Sequence, residues 1–252
     1  MEMNRVKQEN KKAFPKFILV VVLAAAFGGV LGFGIGIAGD VGLPEAISAW
    51  LEVFWRTVTP WAIPVISVVL LGAAWGKYRL ARKQAAIWDG EDEAVMDRVD
   101  QELNWTMLLG QVTMILDFFL MAAGSICLRG TGSNLAVVGW FILSCAIVVV
   151  IQQKAVDLTR AMNPEKQGSV YDMKFQKKWF SSCDEAERAQ IGQAAYRAFR
   201  TTSSACIFLW MMLVFGSFLF DFGLMPVFVL TVIWGVLQVS YLLECVRMGR
   251  GK

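Results

Sequence analysis

The chain has 252 residues, 56% of them hydrophobic and 18% charged, with a formal net charge of +3. Apolar residues on that scale, gathered in long runs, exclude an ordinary soluble domain. The small positive charge lies along loops beside those runs, where it suits anionic lipid headgroups rather than nucleic acid.

Residues 1–16 are polar and carry Arg5, Lys7, Lys11, Lys12 and Lys16. A first apolar segment follows over residues 17–38, roughly 33 Å long as a helix and enough to cross the hydrocarbon core. The basic start resembles that of a secretory signal peptide, but the apolar run is too long for one; it is read as a retained span. Residues 40–59 are less apolar. Pro44 suits the first turn of a helix, and Ile47, Trp50, Leu51, Phe54 and Trp55 make an apolar stripe at helical spacing, with Glu45, Glu52 and Arg56 off it. This predicts a short helix lying in the outer interface, after which Pro60 opens a second span over 61–78.

Arg79, Arg82 and Lys83 mark the return inside. Residues 84–103, with the acidic cluster Asp89, Glu91, Asp92 and Glu93, read as a solvated helix before span three at 104–128. A tight turn at 129–133 leads to span four at 134–153. In the long polar stretch 154–200, Asn163-Pro164 stops the helix that extends from span four. A second helix is expected over 170–180, and Ser182-Cys183-Asp184-Glu185 fits a capping box that starts a third. Spans five and six occupy 202–220 and 225–245. All Lys and Arg except Arg56 and Arg129 lie on one side, which sets the orientation by the positive-inside rule.

The expected fold is therefore all-α: a polytopic integral membrane protein with six transmembrane helices, both termini cytoplasmic, and short cytoplasmic and interfacial helices. Residues 1–252 read as one membrane domain, with a cytoplasmic helical layer from 79–103 and 154–200. Asp92-Glu93-Ala94 and Asp184-Glu185-Ala186 each follow a Trp (Trp88, Trp179) and precede a span, and Gln101 and Gln193 keep the same offset. Duplication of a helix hairpin would produce this pattern, as would chance.

Histidine is absent. That excludes a Ser-His-Asp triad, the serine–histidine dyad of an intramembrane protease, His-ligated haem, an HExxH zinc site and a phosphohistidine kinase. Walker A and ABC signature sequences are also missing. The cysteines Cys127, Cys145, Cys183, Cys206 and Cys245 include no CxxC pair, so free thiols are expected. No cofactor or metal is called for.

Asp117 is the most unusual residue, a carboxylate near the middle of span three. Such a group is costly if ionised and lipid-facing, so it should point into the bundle or a water cavity. Thr106, Gly110, Thr113, Asp117 and Gly124 form a small and polar stripe at heptad-like spacing, and span six carries Thr231, Gly235 and Gln238. Asp117, Thr113 and Gln238 are thus the candidate intramembrane polar site. It reads equally as a proton, cation or ligand site, or as a protonated Asp bonded to a neighbouring helix. An aspartyl protease would need a second aspartate at mid-membrane, and none is present. Gly28, Gly32 and Gly36, four residues apart, are candidate helix-packing positions, within the bundle more readily than in a dimer. GxGxxG over Gly34, Gly36 and Gly39 has no preceding strand and is read as accidental. Tyr171, Lys174, Phe175, Lys178 and Trp179 are candidates for interfacial lipid or partner contact; an aromatic face on the bilayer with lysines at the headgroups is preferred over partner recognition.

The run Asn163-Pro164-Glu165-Lys166-Gln167-Gly168-Ser169-Val170-Tyr171-Asp172, with Lys174-Phe175, Lys178-Trp179, Ser182-Cys183-Asp184-Glu185-Ala186-Glu187 and Ala194-Ala195-Tyr196-Arg197-Ala198-Phe199, resembles the signature of a bacterial membrane-protein family, domain of unknown function 3169. The six-span plan and length fit it as well. The resemblance implies a bacterial plasma-membrane location and carries no catalytic residue with it. Taken together, these features lead to the expectation of a non-enzymatic accessory, immunity or stress-response protein whose partners are membrane lipids or another membrane protein, and not nucleic acid. The alternative is a small transporter or ion-coupled permease using Asp117; an enzyme acting on lipid ranks third.

Overall fold

The computed structural model describes residues 43–88, 92–128, 133–218, 220 and 223–250, with isolated positions between 15 and 37. Those isolated positions are helical. Most of the expected first span, including Gly32 and Gly36, lies outside the described residues, as do Asp89, Glu91, Arg129, Asp221 and Phe222. Among the described residues there is no strand. The continuous helices are α1 (Leu43–Ala86), α2 (Glu93–Cys127), α3 (Ser133–Met162), α4 (Phe175–Ser181), α5 (Glu185–Gly216) and α6 (Met225–Arg250). Five of these, all except α4, are long and apolar enough to cross a membrane.

The boundaries differ from expectation in an instructive way. The predicted interfacial helix and span two are one helix, α1, with Pro60 and Pro64 inside it. Each proline removes one backbone hydrogen bond. A break would orphan a whole turn of backbone groups at each new end, where lipid offers no water to receive them. Continuing is the lesser cost. At 44 residues, α1 is about 66 Å long, roughly twice the hydrocarbon thickness. Likewise the solvated helix expected over 84–103 is the start of α2, and α3 runs past residue 153 to Met162, where Asn163-Pro164 stops it. The layer at the basic end is thus built largely of continued spanning helices.

The chain divides into two compact units, Trp50–Gln193 and Met1–Ala49 with Ala194–Lys252. In the first, α2 and α3 form an antiparallel hairpin with α1 packed beside it. The buried stripe of α2 is Val99, Leu103, Thr106, Gly110, Thr113, Asp117, Leu120 and Gly124, alternating steps of four and three. This is the spacing of a left-handed helix seam. Three apolar layers stack along the helices: Ile63, Leu120 and Val137; then Leu71, Ala74 and Val148; then Tyr78, Val99 and Ala155. Lys77 of α1 pairs with Glu102 of α2 at 2.9 Å.

In the second unit, α5 and α6 meet through Gln238 Nε2, which donates to Ser203 Oγ at 2.8 Å, and through the Phe199 ring stacked on Tyr241 with centroids 4.3 Å apart. A Cβ on Gly28 would reach ordinary contact with Phe215, at 3.9 Å.

The faint repeat gains a structural counterpart. Asp92 and Asp184 both cap the start of a long helix. Asp92 accepts from the backbone N–H groups of Ala94 and Val95, and Asp184 accepts from that of Glu187. The offset that relates the start of α2 to that of α5 also relates Ser133, which begins α3, to Met225, which begins α6.

Candidate functional site

Asp117 lies between the first and second apolar layers and is completely buried. Ser67 of α1 donates to its Oδ1 at 3.1 Å and its Oδ2 at 3.3 Å; Ser144 of α3 donates to Oδ2 at 2.5 Å. One carboxyl group therefore ties three helices together, and every partner is itself buried. Such closure is what a polar group deep in a membrane bundle requires, because nothing else there can satisfy it. Thr113, on the same stripe, is also buried and donates to the Leu109 carbonyl of its own helix. Gln238 takes its hydrogen bond within the other unit, from α6 to Ser203.

Ser67 and Ser144 were not singled out from sequence. Each is a lone small polar residue in an apolar run, at a buried position of its helix. That register with Asp117 is the signal that would have found them. Two turns further along the same stripe, a Cβ on Gly124 would stand 2.9 Å from Val137 Cγ1 and 3.0 Å from Thr59 Cγ2, so a side chain there would have to push those neighbours aside.

The second site is the signature segment itself, where Lys166 is only 6% exposed. Its ammonium forms an ion pair with Glu187, donates to Cys183 Sγ at 3.7 Å and lies 6.0 Å from the centroid of the Trp179 ring. Burial works against the charge, but the hydrogen bond and charge of Glu187 outweigh it and hold the ammonium above its ordinary value. The Cys183 thiol donates onward to the Trp179 carbonyl at 3.3 Å. All five cysteines are free.

Gln153, within the last three turns of α3, fastens the loop. Its Oε1 accepts from Ser169 Oγ and from the Val170 backbone, and its Nε2 donates to Asp157 at 2.8 Å. Gly168 has φ +123° and would place a Cβ 2.9 Å from Phe175 Cδ2, so glycine is required there for both backbone and space.

Three expectations about this segment change. The helix over 170–180 is only Phe175–Ser181, because residues 169–174 form turns. The capping box is Asp184 with Glu187, not Ser182 with Glu185: Asp184 accepts from the Glu187 backbone and its own N–H donates back to the Glu187 carboxylate at 3.0 Å. Ser182 is occupied elsewhere, donating to the Trp179 carbonyl and accepting from the Gln167 N–H. The aromatic period also splits. Phe175 and Trp179, with centroids 5.5 Å apart, are half-buried, whereas Tyr171 is exposed.

Outward from this segment point Tyr171, Met173, Lys174, Lys177 and Phe180. Lys178 is exposed too, but is paired with Asp172 at 2.5 Å. Among the described residues, no three Cys, Asp or Glu side chains come together as metal ligands would.

The fold and these two sites define an all-helical membrane protein with a buried polar tie and a folded signature loop. Residues 11–245 match the family described as protein of unknown function (DUF3169), and the chain belongs to that family. No curated protein and no solved structure gives a match.

Proposed function

We infer that this is a non-enzymatic, multi-pass component of a bacterial plasma membrane, with both termini cytoplasmic, that acts through contacts of its cytoplasmic helical layer with lipid or another membrane protein. Accessory, immunity and stress-response roles all take this form. The observation that carries the reading is the construction of the signature segment. It is fastened from within by Lys166, Gln153 and Gly168, and it presents an exposed apolar and basic set, Tyr171, Met173, Phe180, Lys174 and Lys177. A loop held rigid from inside with apolar side chains facing out is arranged for contact rather than for turnover. The asymmetry of Lys and Arg supports the orientation.

The permease reading has less support. Asp117 is enclosed, and both of its oxygens already have hydroxyl partners, which favours a packing role.

A photo-crosslinking residue at Met173, activated in native membranes, tests the proposal. A discrete lipid or protein adduct is expected at Met173, absent from a control at exposed Ile87 and lost when Lys174 and Lys177 are both changed to Glu. The same adducts at both positions would overturn it.

A further inference from the structure

The inward side of the signature segment borders a half-open cavity of about 420 Å³, within the range of small-molecule sites. Its apolar lining includes Met107, Ile191 and the rings of Phe175 and Trp179. Its charged lining is Asp100, Lys166 and Glu187. A second, more open cavity of about 440 Å³ shares Asp100 and Asn104 with the first and adds Asp97 and Trp105. Asp100 therefore stands where the two meet.

Charge decides what fits. The Lys166 ammonium is already matched by Glu187. Asp100 makes no hydrogen bond or ion pair among the described residues, and Asp97, Glu187 and Lys166 all lie close enough to act on its charge. The lining thus holds two carboxylates against one ammonium, with a third carboxylate, Asp97, in the adjoining cavity. An anion would have to displace Glu187 and settle among like charges. A cation meets an unmatched carboxylate beside aromatic faces, the setting in which cation–π attraction adds to charge.

We propose that this cavity binds a small amphiphilic ammonium, its apolar or aromatic body against Met107, Phe175 and Trp179 and its charged head at Asp100. The proposal uses other residues than the outward contacts inferred above, which lie on the opposite side of the same segment. The ammonium is either that of a free amphiphile or the amine headgroup of a lipid entering head first.

Calorimetric titration of the full chain in a neutral maltoside detergent tests this, with benzyltrimethylammonium as probe and benzoate as control. Saturable binding of the cation alone is expected, weakened at least tenfold by Asp100→Asn, which removes the charge, and by Met107→Trp, which fills the space. Asp100 is exposed and unbonded, so the Asn variant should fold; if either variant is not monodisperse, the other decides. In nanodiscs, with binding counted as the part lost in Asp100→Asn so that the probe's attraction to anionic lipid cancels, weaker probe binding with phosphatidylethanolamine than with phosphatidylglycerol assigns a lipid headgroup as the source, and equal binding assigns a free amphiphile. No saturable heat, equal binding of benzoate, or an affinity unchanged in the folded variants would overturn the proposal.

Discussion

Substituting Asp117 by Asn and by Leu separates hydrogen bonding from charge at the three-helix tie. Asn keeps the shape and the connections. Its carbonyl accepts from Ser67, and its amide donates to the Ser144 hydroxyl, which is free to turn. Leu removes both connections. Interhelical hydrogen bonds in membrane proteins average about 0.6 kcal/mol and reach about 1.7 kcal/mol. The Ser144 hydroxyl, directed at a single oxygen, belongs near the upper figure, and the Ser67 hydroxyl, divided between two oxygens at 3.1 and 3.3 Å, near the mean. Their joint loss costs roughly 2.3 kcal/mol. No hydrophobic gain offsets it, because lipid is as apolar as the bundle interior. A chain of this size shifts its melting point by about 2–4 °C per kcal/mol, so Asp117→Leu should melt roughly 5–9 °C lower and Asp117→Asn less than about 2 °C lower. A thiol-reactive fluorophore reads the transition in detergent in a background with Cys127, Cys145 and Cys245 changed to Ser, since the remaining Cys183 and Cys206 are buried and become reactive only on unfolding. If Asn lowers the melting point as far as Leu, the carboxylate charge is itself the stabilising feature and the hydrogen-bond account is refuted.

Gly124→Ala should destabilise by about 1–3 kcal/mol, the usual cost of overpacking, because the stiff β-branched side chains of Val137 and Thr59 cannot yield; Gly235→Ala, with nothing within 4 Å of its new Cβ, should be tolerated in the same melting assay. Lys166→Met should destabilise by less than the roughly 3–5 kcal/mol of a fully buried pair, since Glu187 is 37% exposed and water reaches it once unpaired. The folded state holds Lys166 above its ordinary value of 10.5, so the stabilisation is complete below that pH and is lost as pH rises through the folded value. The melting gap between wild type and Lys166→Met should therefore be flat from about pH 7 to 10 and close above it; a gap that closes on acidification to pH 7 would contradict the assignment. Gln153→Ala should free residues 169–174 and speed tryptic cleavage at Lys174 and Lys177, with the spanning helices unaffected, as gel analysis of timed digests would show.

The helices were legible because apolar runs of spanning length have few other fates. Their ends were not. Charges such as Lys77 and Glu102 mark the edge of a membrane to a composition reading, yet they bridge two helices that simply continue past it. The burial of Asp117 was legible from its place in a heptad-like stripe. Its partners were not, because Ser67 and Ser144 lie 50 and 27 positions away in sequence and become neighbours only through the register of three helices. The capping box shows a nearer miss. Ser182 and Asp184 are both good caps by type, and the choice fell to Asp184 because the Ser182 hydroxyl was already committed to closing α4. The four-residue aromatic period misled for a similar reason: Tyr171 sits in turns before α4 begins, so a helical period does not apply to it.

The signature residues divide by direction, and that division bears on what the segment does. Lys166, Phe175, Trp179, Cys183 and Glu187 turn inward and bond to one another or line one cavity. A loop needing only to present Tyr171, Met173 and the free lysines could be braced with apolar packing alone, which costs less than burying an ammonium. Burying Lys166 instead keeps an ion pair, two aromatic rings and an unmatched carboxylate around a space large enough for a ligand. Occupation of that space would press on Phe175 and Trp179, and these rings belong to the same short helix that carries Lys177 and Phe180 on its exposed side. The inner cavity and the outer contact surface thus share a single seven-residue element, through Phe175 and Trp179 on one side and Lys177 and Phe180 on the other, and a molecule that fills the cavity is positioned to alter what the outer surface holds.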